Sequence, residues 1–569
     1  MADSLVCDVL VLGSGGAGLL AALHAYDRDP SLKVILASKG LVGKSGCTRL
    51  VQGGYNAVLD PADSVERHFE DTLAGGGFLN DQELAWTLVN DAPRMIHELE
   101  TKVGCFFDRR EDGRIHQKPF AGQSFDRTIH RGDLTGIEIV SRLRDQLFAR
   151  PITVLEEARA LELVPSQFGD RIVGAVLLDA RAGRFLLARA RAVVLATGGG
   201  TRMYKIAAPS LEKTGDGMAM AYRAGARFMD MEMFQFHPTG LLAGASLMSG
   251  MVLEEGLRGA GGQLYNAQGE RFMARYDPDR MERATRDVVA RAGYLEIMAG
   301  RGTSEGGVLL DVSHLGADAI ERQFPGMVER CRDFGMDLGR EPVPVSPTAH
   351  FHMGGVAIDV DCRSSLEGLF VAGEDAGGAH GANRLGGNGV AESTVFGARA
   401  GEAVAAYCRD TEGASPDLAL VAETEREAVA PLNGESSESV ASVRRALETL
   451  MWENVGVVRN GSDLVAAIEA IGELGERARR LSAPGDMRLN LAWAEVLDLR
   501  NMLVVAEMTA RSALLREESR GSHARADFPE RDDQRWLCNV MLRRDGDQMR
   551  LETRPVRLTR LSPLEVAAA

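Results

Sequence analysis

The chain begins with a short apolar run, Val9-Leu10-Val11-Leu12, that gives way to Gly13-Ser14-Gly15-Gly16-Ala17-Gly18 and then to an alanine- and leucine-rich stretch. A run this short with β-branched members predicts a strand, the glycines a tight turn, and the Ala/Leu pattern a helix. Gly13, Gly15 and Gly18 stand in G-x-G-x-x-G spacing. In that spacing the first glycine allows the turn, the second lets backbone approach a pyrophosphate, and the third lets helix pack on strand. The helix N-terminus then faces the phosphate. A second strand is predicted over 33–38, ending in Ser38 and Lys39 where such units often carry an acidic ribose contact. A lone glycine pattern fits an ordinary turn equally well, so its neighbours decide its meaning.

Those neighbours recur far along the chain. The run 192–200 is again a strand pattern, ending in Ala196-Thr197-Gly198-Gly199-Gly200, and the run 368–375 is a third, ending in Glu374 and Asp375. One nucleotide fold assembled from three separated stretches implies that other units are inserted between them. Residues 240–350 read as an insertion, opening on a glycine-rich loop and closing on a proline-punctuated segment. The stretches 436–481 and 489–518 have helical patterning, and the last forty residues read as strand and loop. The expected organisation is α/β. A Rossmann-like nucleotide domain is built from the discontinuous segments 1–239 and 351–420, with an inserted α+β capping domain over 240–350. A C-terminal helical domain follows over 421–535 and a strand/loop tail over 536–569.

Composition narrows the function. Sixty-four glycines in 569 residues exceed the usual ~7%, which implies many close backbone approaches. The net charge of −16 argues against a nucleic-acid binder, and leaves an anionic substrate to local Arg and His clusters. Seven cysteines without a C-x-x-C pair exclude a zinc ribbon or a local iron–sulfur ligand set, fit a reducing compartment, and leave the metal expectation at none. Neither a signal peptide nor a membrane-spanning run is expected, which points to a cytoplasmic protein.

Four motifs then carry a resemblance: Phe234-Gln235-Phe236-His237-Pro238-Thr239-Gly240, Glu255-Gly256-Leu257-Arg258-Gly259, Thr285-Arg286-Asp287, and His380-Gly381-Ala382-Asn383-Arg384-Leu385-Gly386-Gly387-Asn388. In this order they resemble the succinate dehydrogenase/fumarate reductase flavoprotein family, which also includes L-aspartate oxidase. The resemblance implies FAD on Gly13, Ser14, Gly15, Gly16, Ala17 and Gly18, with Ser38 and Lys39 toward the adenosine half and Asp216 as an FAD-contacting aspartate. It places Ser45, Gly46, Cys47, Thr48, Gln52, Gly53, Gly54, Ala196, Thr197, Gly198, Glu374, Asn388, Gly389 and Val390 along the rest of the cofactor. It implies hydride transfer between flavin N5 and a dicarboxylate, with Arg286 moving the proton and Glu255 and Arg258 reloading it. His237, His350 and Arg384 would hold the substrate carboxylates. Taken singly, each histidine reads as structural and Arg286 as half of a salt bridge; inside matching motifs the functional reading prevails.

Three departures from the family pattern bear on the subclass. Cys47 stands where membrane-complex members carry the histidine that links FAD, so non-covalent FAD is expected, with a cysteinyl link the alternative. Phe120 stands where aspartate oxidases carry a glutamate for the substrate ammonium, which favours plain dicarboxylates. Glu254 replaces a small hydroxyl residue beside a substrate carboxylate, and an ionised carboxylate there would repel the substrate. The expected function is the catalytic flavoprotein subunit of a fumarate reductase/succinate dehydrogenase-like enzyme. An iron–sulfur partner would deliver electrons, and docking to a membrane anchor would run through that partner. The alternatives are an L-aspartate oxidase and, from another class, a non-catalytic flavin scaffold.

Overall fold

The computed structural model describes residues 3–208 and 210–563. The end of the expected C-terminal tail, 564–569, and Met1 and Ala2 lie outside the described residues. The apolar runs form one parallel five-stranded sheet in the order Leu369–Val371, Ala192–Leu195, Val9–Leu12, Val34–Ser38, Thr153–Glu156. Its three inner strands are buried along their whole length, which is why they read as continuous apolar runs without alternation. The strand order reverses between Val9–Leu12 and Ala192–Leu195, and a crevice opens at the carboxyl ends of those strands. Gly13 leaves the first strand there with φ of +112°, and a Cβ on it would lie 2.1 Å from the Ala196 carbonyl oxygen. Only glycine can make that exit.

The helix Gly16–Arg28 follows the turn and packs along Asn388–Asp410. Gly397 and Gly401, one helical turn apart, let the two backbones touch: a Cβ on either would stand about 2.5–2.6 Å from the carbonyl oxygens of Ala17 and Ala21. The N-termini of both helices, after Gly15 and Gly387, consequently open toward the same crevice, and neither carries a side-chain cap.

The inserted unit has a four-stranded antiparallel sheet in the order Phe234–Leu241, Val343–His352, Val308–Asp311, Gln263–Tyr265. Leu253, Leu264, Phe272, Val289, Phe324 and Leu338 belong to a core of its own. Its first and last strands run across residues 240 and 350, so the expected limits fall inside strands and the sheet extends from Phe234 to His352. Glycine and proline signals mark where the pattern changes, but strand pairing carries the sheet past them.

The C-terminal helices Val440–Asn454, Gly461–Arg479 and Leu491–Leu515 pack together, the last also against Asp216–Arg223. The hairpin Cys538–Asp545 and Gln548–Pro555, in the stretch expected as a tail, completes a sheet with Phe228–Met229 and Gly355–Ala357. A buried ion network fastens these parts. Arg516 donates to Glu232 at 2.6 Å, Glu518 at 2.9 Å and the Cys538 carbonyl at 2.8 Å, and Arg520 binds Glu518 through two bonds of 2.7 and 2.8 Å. Arg516, Glu232 and Glu518 are all fully buried. Removing one charge strands the others, so Arg516→Met is expected to cost about 3–5 kcal/mol, read as a lowered midpoint of denaturant unfolding. An unchanged midpoint would show that the network does not hold the C-terminal unit.

Candidate active site

A cavity of about 540 Å³ runs from the glycine turn to the seam with the cap. At one end Gly13, Ser14, Gly15, Gly16 and Ala17 line it, together with Gly389 and Val390 of the second helix. Gly16 N–H donates to Thr48 Oγ1 at 3.0 Å, and Ser14 and Ser38 share a hydroxyl bond of 2.7 Å. Two uncapped helix starts and a glycine surface form an anion cradle. Gly18 lies behind it, where a Cβ would stand 2.0 Å from the Gly13 carbonyl oxygen; its part is helix-on-strand packing.

Lys39 and Asp216, far apart in sequence, meet at 3.0 Å. Arg159 at 3.2 Å and Asn501 at 2.8 Å also bind the Asp216 carboxylate. Burial alone would raise that carboxyl, but Lys39 and Arg159 outweigh it and hold it below the usual range. Ala196, Thr197 and Gly198 line the middle of the cavity, and their turn is set by Asp375, which accepts from both backbone amides of Thr197 and Gly198 and from the Thr197 hydroxyl. Burial pushes the Asp375 carboxyl up to about 7 against those bonds. Glu374 pairs with Lys213 at 2.5 Å. Ser45, Gly46 and Cys47 line the same wall, and burial, partly offset by Lys213, pushes the Cys47 thiol up to about 11. It is therefore a thiol at neutral pH. Gln52 donates to the Val252 carbonyl at 3.0 Å, which ties this wall to the cap. The Phe120 ring occupies the space over Gly53, where a Cβ would lie 2.3 Å from it, and Gly54 completes the turn.

Asn388 does not line the cavity. Its amide is consumed by Asn56 at 2.7 Å, His68 at 3.1 Å and Thr72 at 3.1 Å, so it anchors the helix start rather than facing a ligand.

The far end collects the charged motif residues. Phe234–Leu241 pairs with Val343–His352, and the register shifts around His237, beside Pro238, which has no amide to donate. The bulge lies where His237 and His350 come together, with ring centres 5.4 Å apart. Arg286 opens the helix Arg286–Glu296 and meets Glu255 through Nε at 2.7 Å and Nη2 at 2.6 Å. Arg258 stands behind, 3.7 Å from the other Glu255 oxygen and outside the cavity wall. Arg384 lies 4.5 Å over the Phe351 ring. Burial and the arginines beside them hold His237 and His350 well below the ordinary histidine range, so both imidazoles are neutral. Burial works against the Glu255 carboxylate, but Arg286 and Arg258 overcome it and keep the group ionised. His350 Nδ1 and Arg384 Nε are buried without a protein partner. A cavity end with two guanidiniums, two neutral imidazoles and spare donors is built to receive carboxylates.

Gln235 lies within the first of the four motifs without a role assigned by them, yet its Oε1 accepts from Arg286 Nη1 and from Arg384 Nη2, both at 3.1 Å. Its amide nitrogen donates to Asn383 Oδ1 at 2.8 Å and the Arg384 carbonyl at 2.7 Å, which fixes the orientation. Gln235, Lys213 and Asp375 have no sequence signal beyond their nearness to the motifs, because their partners come from distant segments.

The crevice and the carboxylate-receiving pocket define an FAD-dependent oxidoreductase. The FAD binding domain family matches residues 8–390, and the fumarate reductase flavoprotein C-terminal family matches residues 444–567. The chain is 44% identical over 541 residues to one subunit of the fumarate reductase (CoM/CoB) of Methanothermobacter marburgensis, covering 95% of this chain and 97% of that protein. It is 39% identical to the 8-methylmenaquinol:fumarate reductase flavoprotein subunit of Wolinella succinogenes, covering 95% and 89%. A solved quinol-fumarate reductase with menaquinol molecules superposes with a TM-score of 0.93 at 35% identity, over 99% of this chain and 100% of that one. The chain belongs to the fumarate reductase flavoprotein family.

The glycine surface, the uncapped helix starts and a lining that runs from Gly13 to Gly53 and Gly389 fit FAD. Gly15→Val would place a branched side chain at the helix start, where a Cβ already meets Thr48 Oγ1 at 3.3 Å. The variant is expected to purify colourless, with near-complete loss of flavin absorbance per chain. Normal flavin content would show that the turn is not the cofactor's seat.

Proposed function

We propose that the chain is the catalytic flavoprotein subunit of a fumarate-reducing complex, acting on an unsubstituted C4 dicarboxylate. The observation that carries this reading is the pair Arg286 and Arg384 on one amide oxygen of Gln235, beside two neutral histidines. Bound FAD supplies the hydride at its N5. Arg384 and the two imidazoles hold the carboxylates, and the buried guanidinium polarises the one it binds, which stabilises negative charge developing on the substrate. Arg286 holds the proton that the substrate carbon receives. Glu255, a carboxylate at rest, relays the replacement proton: it takes one from Arg258, 3.7 Å from its Oε1, and passes one to Arg286 from Oε2, 2.6 Å from Arg286 Nη2. An arginine is a poor acid in water, so this transfer depends on direct placement and on immediate reloading.

Phe120, 8% exposed and packed over Gly53, supports a substrate without an ammonium group and speaks against an amino dicarboxylate. The relatives are named as subunits, which supports a multi-subunit enzyme; an iron–sulfur partner as the electron source belongs to the same reading. Among the described residues no helix is long and apolar enough to cross a membrane. A cytoplasmic location, at the membrane face where the complex docks there, is part of the proposal.

Reduced viologen dye should be reoxidised by fumarate in the presence of the holoprotein, and Arg286→Ala should lower kcat roughly 10²- to 10⁴-fold. Peroxide formed from aspartate in air, with no fumarate-dependent dye oxidation, would overturn the reading. The protonated Cys47 thiol supports non-covalent flavin, so acid precipitation should leave yellow FAD in the supernatant. Flavin remaining in the pellet of wild type but not of Cys47→Ala would reverse that expectation.

A further inference from the structure

Glu254 shares the pocket with Arg286, Arg384, His237 and His350, and is only 3% exposed. A bare carboxylate there would repel a dianion. Glu254 and Glu255 are consecutive, yet the two side chains take different cations. Glu255 closes on Arg286 inside the cap. Glu254, immediately before the short helix Glu255–Gly259, reaches across the seam to Lys118 Nζ at the end of the strand Gln117–Lys118. The Lys118 ammonium also lies 5.7 Å from the centre of the Phe120 ring, and its side chain is 17% exposed. The other charged groups around Glu254 are Asp133 and Glu255, both acidic, and Arg330, whose Nη1 is buried without a hydrogen-bond partner. Burial is the strongest influence on the Glu254 carboxyl and raises it, Asp133 and Glu255 add to the rise, and Lys118 opposes them.

We propose that Lys118 is a specificity-determining residue: its ion pair with Glu254 turns a repelling carboxylate into a net-neutral wall, and so admits a dianionic substrate. The proposal rests on the dicarboxylate reading of the pocket. The position where the family resemblance implies a small hydroxyl residue is thus served here by two charges from opposite sides of the seam. Removing Lys118 alone leaves an uncompensated buried charge facing the substrate, whereas removing both charges leaves a neutral wall.

The test uses holoprotein and fumarate, a dianion across the pH range used. Its affinity for the oxidised protein is measured by the flavin absorbance change without an electron donor, and KM and kcat come from the dye assay. Lys118→Met is expected to weaken fumarate binding roughly 10- to 100-fold at about pH 8.5. Burial holds the Glu254 carboxyl above its ordinary range, so as pH falls it gains a proton and the deficit should shrink. The change should appear in KM, with kcat altered by less than about threefold. Glu254→Gln with Lys118→Met should recover binding and lose the pH dependence, and Lys118→Arg should resemble wild type. Unchanged binding in Lys118→Met, or a loss that is equal at every pH and not rescued by Glu254→Gln, overturns the proposal and leaves the pair as a clamp between cap and nucleotide domain. Wild-type protein that neither binds nor reduces fumarate refutes the dicarboxylate reading itself, and this proposal with it.

Discussion

Two guanidiniums are buried at the wall of one pocket, and much of the surrounding structure keeps them apart, charged and aimed. Arg286 is 7% exposed and Arg384 5%, and each gives one N–H to the same oxygen of Gln235. Burying like charges this close is costly unless each finds compensation. Glu255 compensates Arg286 directly, and the Phe351 ring face supports Arg384. Positive charge is still in excess: burial and Arg286 both depress the Arg384 guanidinium, so a carboxylate bound beside it is stabilised by the charge it offsets. Burial, reinforced by the same field, keeps His237 and His350 neutral, which makes them hydrogen-bond partners and leaves the positive charge to the arginines.

The cofactor end follows a different logic, in which the backbone makes the site. The crevice exists because the strand order reverses between Val9–Leu12 and Ala192–Leu195, and it stays open because Gly13 turns out of the sheet against Ala196 without a side chain. Gly397 and Gly401 bring a second helix start beside the first. Charged side chains near this end are paired with each other, as in Lys39 with Asp216 and Lys213 with Glu374. A protein of net charge −16 can thereby present an anion cradle and an anion pocket in one cavity.

Much of this was legible in the chain. Short apolar runs ending in glycine locate strands of the parallel sheet because both faces of such a sheet are covered. The motif residues His237, Glu255, Arg286 and Arg384, with His350 from outside the four motifs, do converge on one pocket. Less legible were residues that act through remote partners: Gln235 between two arginines, Asp375 under the Thr197-Gly198 turn, and Lys118 beside Glu254. Asn388 sits in the right segment but spends its amide on Asn56, His68 and Thr72. The limits of the cap also escaped the pattern, since pairing across Phe234–Leu241 and Val343–His352 continues past the glycine and proline signals.

By itself the sequence determined the elements and their chemistry, because hydrophobic period, glycine exits and residue type are local properties. It determined that a nucleotide fold is interrupted by an insertion, and that the anion-binding groups are few and clustered in motifs. Only the tertiary structure decided which charges meet. Ion pairs form across segments hundreds of residues apart, and their energy depends on distance and burial, neither of which is written in sequence spacing. Glu254 shows this most clearly: as a letter in the chain it conflicts with a dianionic substrate, and in the folded protein it faces Lys118.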